Sequence, residues 1–208
     1  MIKCILFDFY KTLSNDHYFK LPKKYNTKIA EVLFEDESKK DLLNNWWLGN
    51  ISSNDIVQHL SAALLIPPEY LLNNLKTHAR KMTLNKALFD FSQAAREKGY
   101  YMAIVTVNSD VFTTDVVPGL KLDTYFDCII NSSDHTTIDK NTLCTIAMSK
   151  LDNDLDFKDC LLLDDNEQNI QNFITLGGKG YTYTNDENFR EWLQNNSDLV
   201  NGLSADMK

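Results

Sequence analysis

The residues whose types and spacing suit chemistry are aspartates and a threonine that follow short apolar runs. Ile5-Leu6-Phe7 leads to Asp8, AIVTVNSD carries Thr106 at the end of its apolar part, and CLLLDDNEQN leads to the pair Asp164-Asp165. In an open parallel sheet, ligands bind beyond the carboxyl ends of the strands, so these side chains share one rim if each run is a strand. Three carboxylates gathered there repel one another unless a cation lies among them. Ligands that are all oxygen suit Mg²⁺.

The elements that must position these residues are legible as patterns. Residues 2–7, 102–107, 125–131, 160–163 and 181–184 read as buried strands, because near-continuous apolar runs suit a parallel sheet covered on both faces. Helical periodicity separates them at 86–98, 142–151 and 170–176, which makes the chain α/β with right-handed crossovers. Between the first strand and Lys86 no comparable strand is found. There, 26–34 and 38–48 look helical, Ser52-Ser53-Asn54-Asp55 has the spacing of a capping box, and Pro67-Pro68-Glu69 opens a further helix. The expected organisation is a Rossmann-like parallel-sheet core of residues 1–13 and 84–208 with an inserted α-helical cap of residues 14–83. The polar tail after Asn195 is expected to fray.

Composition narrows the function classes. The chain has 208 residues and a formal net charge of -8. An acidic surface repels phosphate backbones and anionic lipid, which argues against nucleic-acid or membrane-surface partners. No apolar run has the length of a membrane span, and residues 1–7 run into a strand too short for a secretory apolar region. A soluble, cytoplasmic protein is the expectation. Cys4, Cys128, Cys144 and Cys160 form no Cys-x-x-Cys pair and read as small apolar residues in a reducing compartment.

ILFDFYKTL, AIVTVNSD and LLLDDNEQNI, in that order and with a helical insertion after the first, resemble the motifs of the haloacid dehalogenase superfamily. NWWLGNIS and IPPEYL are similar to its first class of helical cap. LLLDDNEQNIQNFITLGGKGYTYTN is similar to the closing segment of its sugar-phosphate phosphatases. The resemblance implies that Asp8 attacks phosphorus to form an aspartyl-phosphate, which water then hydrolyses. It implies that Thr106 hydrogen-bonds a phosphoryl oxygen. Mg²⁺ would be held by Asp8, Asp164, Asp165 and the backbone carbonyl of Tyr10, and the substrate would be a small-molecule phosphate ester.

Two departures from that pattern bear on the chemistry. Most phosphatases of the superfamily carry an aspartate where this chain has Tyr10, as acid for the leaving group and base for water. A phenol is a feasible donor and a poor base, so turnover is expected to be slow or restricted to good leaving groups. Tyrosine at that position is also what 2-haloacid dehalogenases carry. They use no metal and take an arginine from the cap, whereas this chain has no arginine before Arg80. The carboxylate pair favours a metal-dependent phosphatase over a dehalogenase, and a binding protein that has kept the fold but lost turnover is the third reading. The second departure is the lysine that neutralises nucleophile and phosphate. In HTTIDKNTLCTIA, aligning on the helix puts Ile138 at its position and Lys140 two residues late. Lys140 either reaches the site or is a solvated residue at a helix start.

Lys11 is an alternative cation near the phosphate, or a surface residue. Thr12 is expected to brace the loop through its hydroxyl, within the substrate-binding set. Asn108 either reaches the phosphate site or shapes the turn with Ser109. Asn169 suits a partner of a metal-binding carboxylate or a helix cap. His17 lies close enough to the Asp8 loop to line an entrance, or is simply exposed. Of Trp46-Trp47, one is expected to pack inside the cap and the other to line the cleft.

Overall fold

In the computed structural model residues 1–35 and 40–200 are described. The solvated turn expected at Glu35-Asp36-Glu37 lies outside them apart from the Glu35 backbone, as do residues 201–208 of the tail. Five parallel strands, β1 (Cys4–Phe7), β2 (Tyr101–Thr106), β3 (Cys128–Asn131), β4 (Cys160–Asp164) and β5 (Lys179–Thr182), make one sheet in the order β3-β2-β1-β4-β5. Strand β1 is central, and its register fixes the level at which Asp8 leaves the sheet. Phe7 pairs with Ile104 on one side and Leu163 on the other. Asp8 therefore emerges level with Val105 and Asp164, its N–H donating to the Leu163 carbonyl at 2.8 Å.

The alternation of a strand sends successive side chains to opposite faces. Cys4 and Leu6, with Ala103, Val105, Cys160 and Leu162, pack against Leu143 and Ala147 of α9 (Lys140–Leu151) and Ile170 and Phe173 of α10 (Glu167–Thr175). Ile5 and Phe7, with Met102, Ile104, Leu161 and Leu163, face α5 (Lys86–Glu97) and α11 (Asp186–Asn195) through Phe91 and Phe189. The four cysteines are free thiols, three of them buried.

Four helices intervene between β1 and α5: α1 (Lys23–Ala30), α2 (Lys40–Trp47), α3 (Ser53–Leu64) and α4 (Pro68–Ala79). The capping box forms as its spacing requires: Ser52 Oγ accepts from the Asp55 N–H, and the Asp55 carboxylate accepts from the Ser52 N–H. Buried residues of these helices, Leu43, Ile56, Leu60 and Leu71 among them, belong to the same apolar cluster as Ile5 and Phe7. No helix among the described residues is long and apolar enough to cross a membrane.

Several boundaries correct the sequence reading. The strand expected from Tyr125 starts at Cys128, because a π-helical turn (Phe112–Val116), α6 (Val117–Leu120) and α7 (Leu122–Tyr125) carry the chain to it. Apolar content alone does not separate such short helical turns from a strand. The last strand runs over Lys179–Thr182, two residues earlier than expected, and α11 follows where no helix was anticipated. The tail does not fray at Asn195: Ser197–Val200 forms a further turn and Val200 is buried. A short α8 (Ser132–His135) follows β3, and α9 begins at Lys140 rather than Thr142 because Asp139 caps it, accepting from the Thr142 N–H at 2.8 Å.

Candidate active site

Carboxylate oxygens of Asp8, Asp164 and Asp165 lie within 4.8 Å of one another at the carboxyl rim of β1 and β4. Two strand ends place the group, β1 supplying Asp8 and β4 supplying Asp164 with Asp165 just beyond, while Thr106 ends the neighbouring β2 one level further along.

Lys140, from the first turn of α9, reaches into this cluster. Its Nζ donates to Asp8 Oδ1 at 2.7 Å and to the Val105 carbonyl at 2.7 Å, and lies 2.9 Å from Asp164 Oδ2. Ile138, two residues earlier, is 42% exposed. The helix start that looked too late in the sequence is the one that delivers the cation, and the solvated reading of Lys140 is overturned. Asn169 Nδ2 spans both oxygens of Asp164 at 3.1 and 3.2 Å, and the Asn166 N–H donates to Oδ1 at 2.8 Å. Asn166, not Asn169, caps α10. Asp164 is thus fixed from both sides.

Burial first, then the nearby Asp164 and Asp165, push the Asp8 carboxyl up to about 7, against the opposing pull of Lys140. Burial disfavours the Lys140 ammonium, but Asp8 and Asp164 outweigh it and hold Lys140 above its ordinary value. Burial and Asp164 likewise raise Asp165. One ammonium among three carboxylates leaves two negative charges uncompensated when all are ionised. A divalent cation matches that residue of charge. Among the described residues no N–H is bonded to the Tyr10 carbonyl.

The loop after β1 turns tightly. Ser14 N–H donates to Phe9 O, Lys11 N–H donates to Ser14 O, and Lys11 takes a left-handed φ of 61°. Lys11 is exposed, its Nζ 5.7 Å from the centre of the Tyr10 ring, and its charge is felt at Asp165. The Thr12 hydroxyl does not brace the loop as expected. It is buried without a hydrogen-bond partner, and Asn85 Nδ2 holds the loop instead through the Thr12 carbonyl at 2.5 Å. Thr106 Oγ1 and Ser109 Oγ are buried in the same unpartnered way. Such hydroxyls cost stability unless a ligand oxygen meets them.

Tyr10 Oη lies 2.9 Å from Nδ1 of the exposed His17. Burial, and after it Asp165, raises the Tyr10 phenol above its ordinary value. Asn108 shapes the turn and lines the neighbouring cavity: its Oδ1 accepts from the Ser109 N–H at 2.9 Å and from Tyr18 Oη at 2.7 Å. Tyr18 and Asp110 were not anticipated. Asp110 accepts from Trp46 Nε1 at 2.9 Å, the Ser53 N–H at 3.0 Å and Ser53 Oγ at 2.5 Å, tying α2 and α3 to the loop after β2. The AIVTVNSD run contains Asp110, but its partners are 57 and 64 residues away, beyond any local pattern.

A cavity of about 580 Å³ is lined by residues of the loops that follow β1 and β2 and of α1 and α2. Asp8 does not line it, but Tyr10, Lys11 and Asn108, on the loops that flank Asp8, do. Trp46, 4% exposed, packs in the main apolar cluster as expected of one of the pair, and both Trp46 and Trp47 line the cavity.

No family model matches the chain, and no curated protein matches it. Solved structures do. An enzyme of the haloacid dehalogenase (HAD) family from Bacteroides thetaiotaomicron, in complex with magnesium and inorganic phosphate, superposes with a TM-score of 0.62 at 17% identity, over 88% of this chain and 94% of that one. The chain has the fold of the HAD family. A predicted HAD-like hydrolase from Porphyromonas gingivalis gives 0.64 at 16% identity, over 96% and 98%. L-2-haloacid dehalogenase from Xanthobacter autotrophicus, with chloropropionic acid covalently bound, gives 0.57 at 16%, over 86% and 76%. Neighbours of this HAD fold thus include both an enzyme that holds magnesium with phosphate and one that is alkylated by a haloacid.

Proposed function

We propose that the chain is a Mg²⁺-dependent phosphatase that cleaves a small phosphomonoester through an aspartyl-phosphate on Asp8. The observation that carries the reading is the set of three carboxylates within 4.8 Å, with Lys140 between two of them. A metal-free site would have no use for that much negative charge. Residues 14–83 act as the cap, closing over the site on a core of residues 1–13 and 84–208.

Asp8 attacks phosphorus: a new bond forms from its carboxylate oxygen, and the bond from phosphorus to the ester oxygen breaks with its electron pair going to the leaving alcohol. Water then attacks phosphorus, the pair of the broken bond returns to Asp8, and the water proton leaves with phosphate or solvent. Lys140 orients Asp8 and offsets its charge as the anionic phosphoryl group approaches. Thr106 and Thr12 offer hydroxyls to phosphoryl oxygens, with Lys11 as an outer cation and Asn108 as a further donor. Asp8, Asp164, Asp165 and the Tyr10 carbonyl would hold Mg²⁺, which would supply charge neutralisation between the two anions. Tyr10 Oη, 2.9 Å from His17 Nδ1, is a phenol proton donor on this loop.

A metal-independent dehalogenase is the second reading, favoured by Tyr10. The arginine it would want is committed elsewhere: Arg80 pairs with the buried Asp115, Nε donating at 2.8 Å and the terminal nitrogen at 2.7 Å. Hydrolysis of p-nitrophenyl phosphate separates the two readings. It is expected to need Mg²⁺ and to vanish in Asp8→Asn with the fold retained by circular dichroism. Absence of turnover with Mg²⁺ across a panel of phosphate esters overturns the phosphatase, and halide release from a 2-haloacid in EDTA establishes the dehalogenase.

A further inference from the structure

The polarity of the cavity lined by Tyr10, Lys11 and Asn108 points to the other half of the substrate. Its walls carry Phe19, Leu33, Leu43, Trp46, Trp47 and Val107, and Phe34, 63% exposed, also lines it. Among the described lining residues Lys11 is the one formally charged side chain, and no carboxylate or guanidinium is present. A volume near 580 Å³ is ample for a ring system larger than the phosphoryl group alone.

Most of the polar groups on these walls are paired within the protein, the Lys11 ammonium and the unpartnered Ser109 hydroxyl being exceptions. Asn26 Nδ2 donates to the Leu21 carbonyl at 2.9 Å and its Oδ1 accepts from the Leu21 N–H at 3.2 Å. Tyr18 Oη donates to Asn108, Trp46 Nε1 donates to Asp110, and Tyr10 Oη is bonded to His17. A polyol entering here would give up water at each hydroxyl and meet walls with few free partners, which is a strong penalty. A flat apolar group meets indole and phenyl faces that favour it.

The residue at the site agrees on separate grounds. Where a carboxylic acid would protonate an alkoxide, this chain offers a phenol. A leaving group that is itself a phenol, with a pKa of about 10, departs far more readily as an anion than an aliphatic alcohol does. Granting the phosphatase reading, we infer that the substrate is an aryl phosphate, its uncharged aromatic group seated between the α1–α2 helices and the loop after β2. The aryl oxide leaves with the electron pair of the broken bond to phosphorus and takes its proton from solvent.

Binding and turnover test this separately. With Mg²⁺ and the full chain, 1-naphthylmethylphosphonate is expected to inhibit at least about tenfold more tightly than methylphosphonate, a gain typical of burying an aromatic group. Trp47→Ala should erase most of that difference. Phe34→Ser, at an exposed position, tests the same surface should the tryptophan variant not fold. Equal inhibition by the two phosphonates overturns the inference. So does a kcat/KM for a hexose 6-phosphate above that for 1-naphthyl phosphate, an outcome that leaves the phosphatase standing. No hydrolysis of any ester with Mg²⁺ removes both.

Discussion

Lys140 and Tyr10 set the chemistry at the scale of single residues, and they pull in opposite directions. Lys140 is 5% exposed and touches two aspartates and a carbonyl, so its removal leaves buried carboxylates without their cation. Lys140→Met is expected to cost about 3 kcal/mol in a denaturant melt in EDTA and to lower kcat by about 10²-fold or more. Wild-type stability and turnover in that variant would mean that the lysine contacts are idle. In the proposed phosphatase Tyr10 would limit the proton traffic. Tyr10→Asp places a carboxylate on the same loop and is expected to raise kcat on an alkyl phosphate by about 10²-fold, with little change on an aryl phosphate, because only the first leaving group needs an acid. Equal effects on both esters would count against a proton-transfer limit at residue 10. The identity of Asp8, Asp164 and Asp165 was legible from their places after apolar runs. The reach of Lys140 was not, because it depends on a helix starting two residues earlier than its apolar periodicity indicates.

Among the elements, the loop after β2 carries the connection between the sheet rim and the inserted helices. Asp110 receives three donors, from Trp46 of α2 and from the start of α3. Nearby, Ser132 Oγ donates to the Trp47 carbonyl at 2.7 Å, and Gly49, at φ +71°, sits so close that a Cβ would lie 2.3 Å from the Ser133 carbonyl oxygen. These contacts dock α2 and α3 against α8 and the β2 loop. Asp110→Ala strands donors of Trp46 and Ser53, at a cost of about 1–3 kcal/mol. It is expected to raise KM for an aryl ester more than it lowers kcat, since the cavity wall shifts while Asp8 and Lys140 stay. A fall in kcat alone would place the effect at the chemistry instead. The strands were readable from runs such as AIVTV because parallel strands buried on both faces need little else. The docking was unreadable. An aspartate in a loop looks the same whether it meets solvent or an indole from a helix far away in sequence, and the π-helical turn at Phe112–Val116 has no apolar period of its own.

Taken as a whole, the molecule places its most concentrated buried negative charge where a net charge of -8 gives no help in neutralising it. In the proposed phosphatase a bound Mg²⁺ would therefore stabilise the fold as well as serve the reaction. In the metal-free chain the Asp8 carboxyl titrates near 7, above an ordinary value of 3.8. The folded state therefore holds this proton over a range in which the unfolded chain has lost it. Stability from this group is greatest below the unfolded value and declines as pH rises toward about 7, after which the decline ends. A divalent ion offsets the ionised cluster and so removes most of that decline. Saturating Mg²⁺, at about a hundred times Kd, adds about 2.7 kcal/mol, or about 5–10 °C in Tm for a chain of this size. The gain is expected to be larger at about pH 8 than at about pH 5, where protons already do part of the metal's work. Asp8→Asn should flatten the pH dependence in EDTA and reduce the Mg²⁺ increment. A Tm unmoved by Mg²⁺ at the higher pH would show that these carboxylates, close as they are, do not bind the ion, and the phosphatase would lose its physical basis.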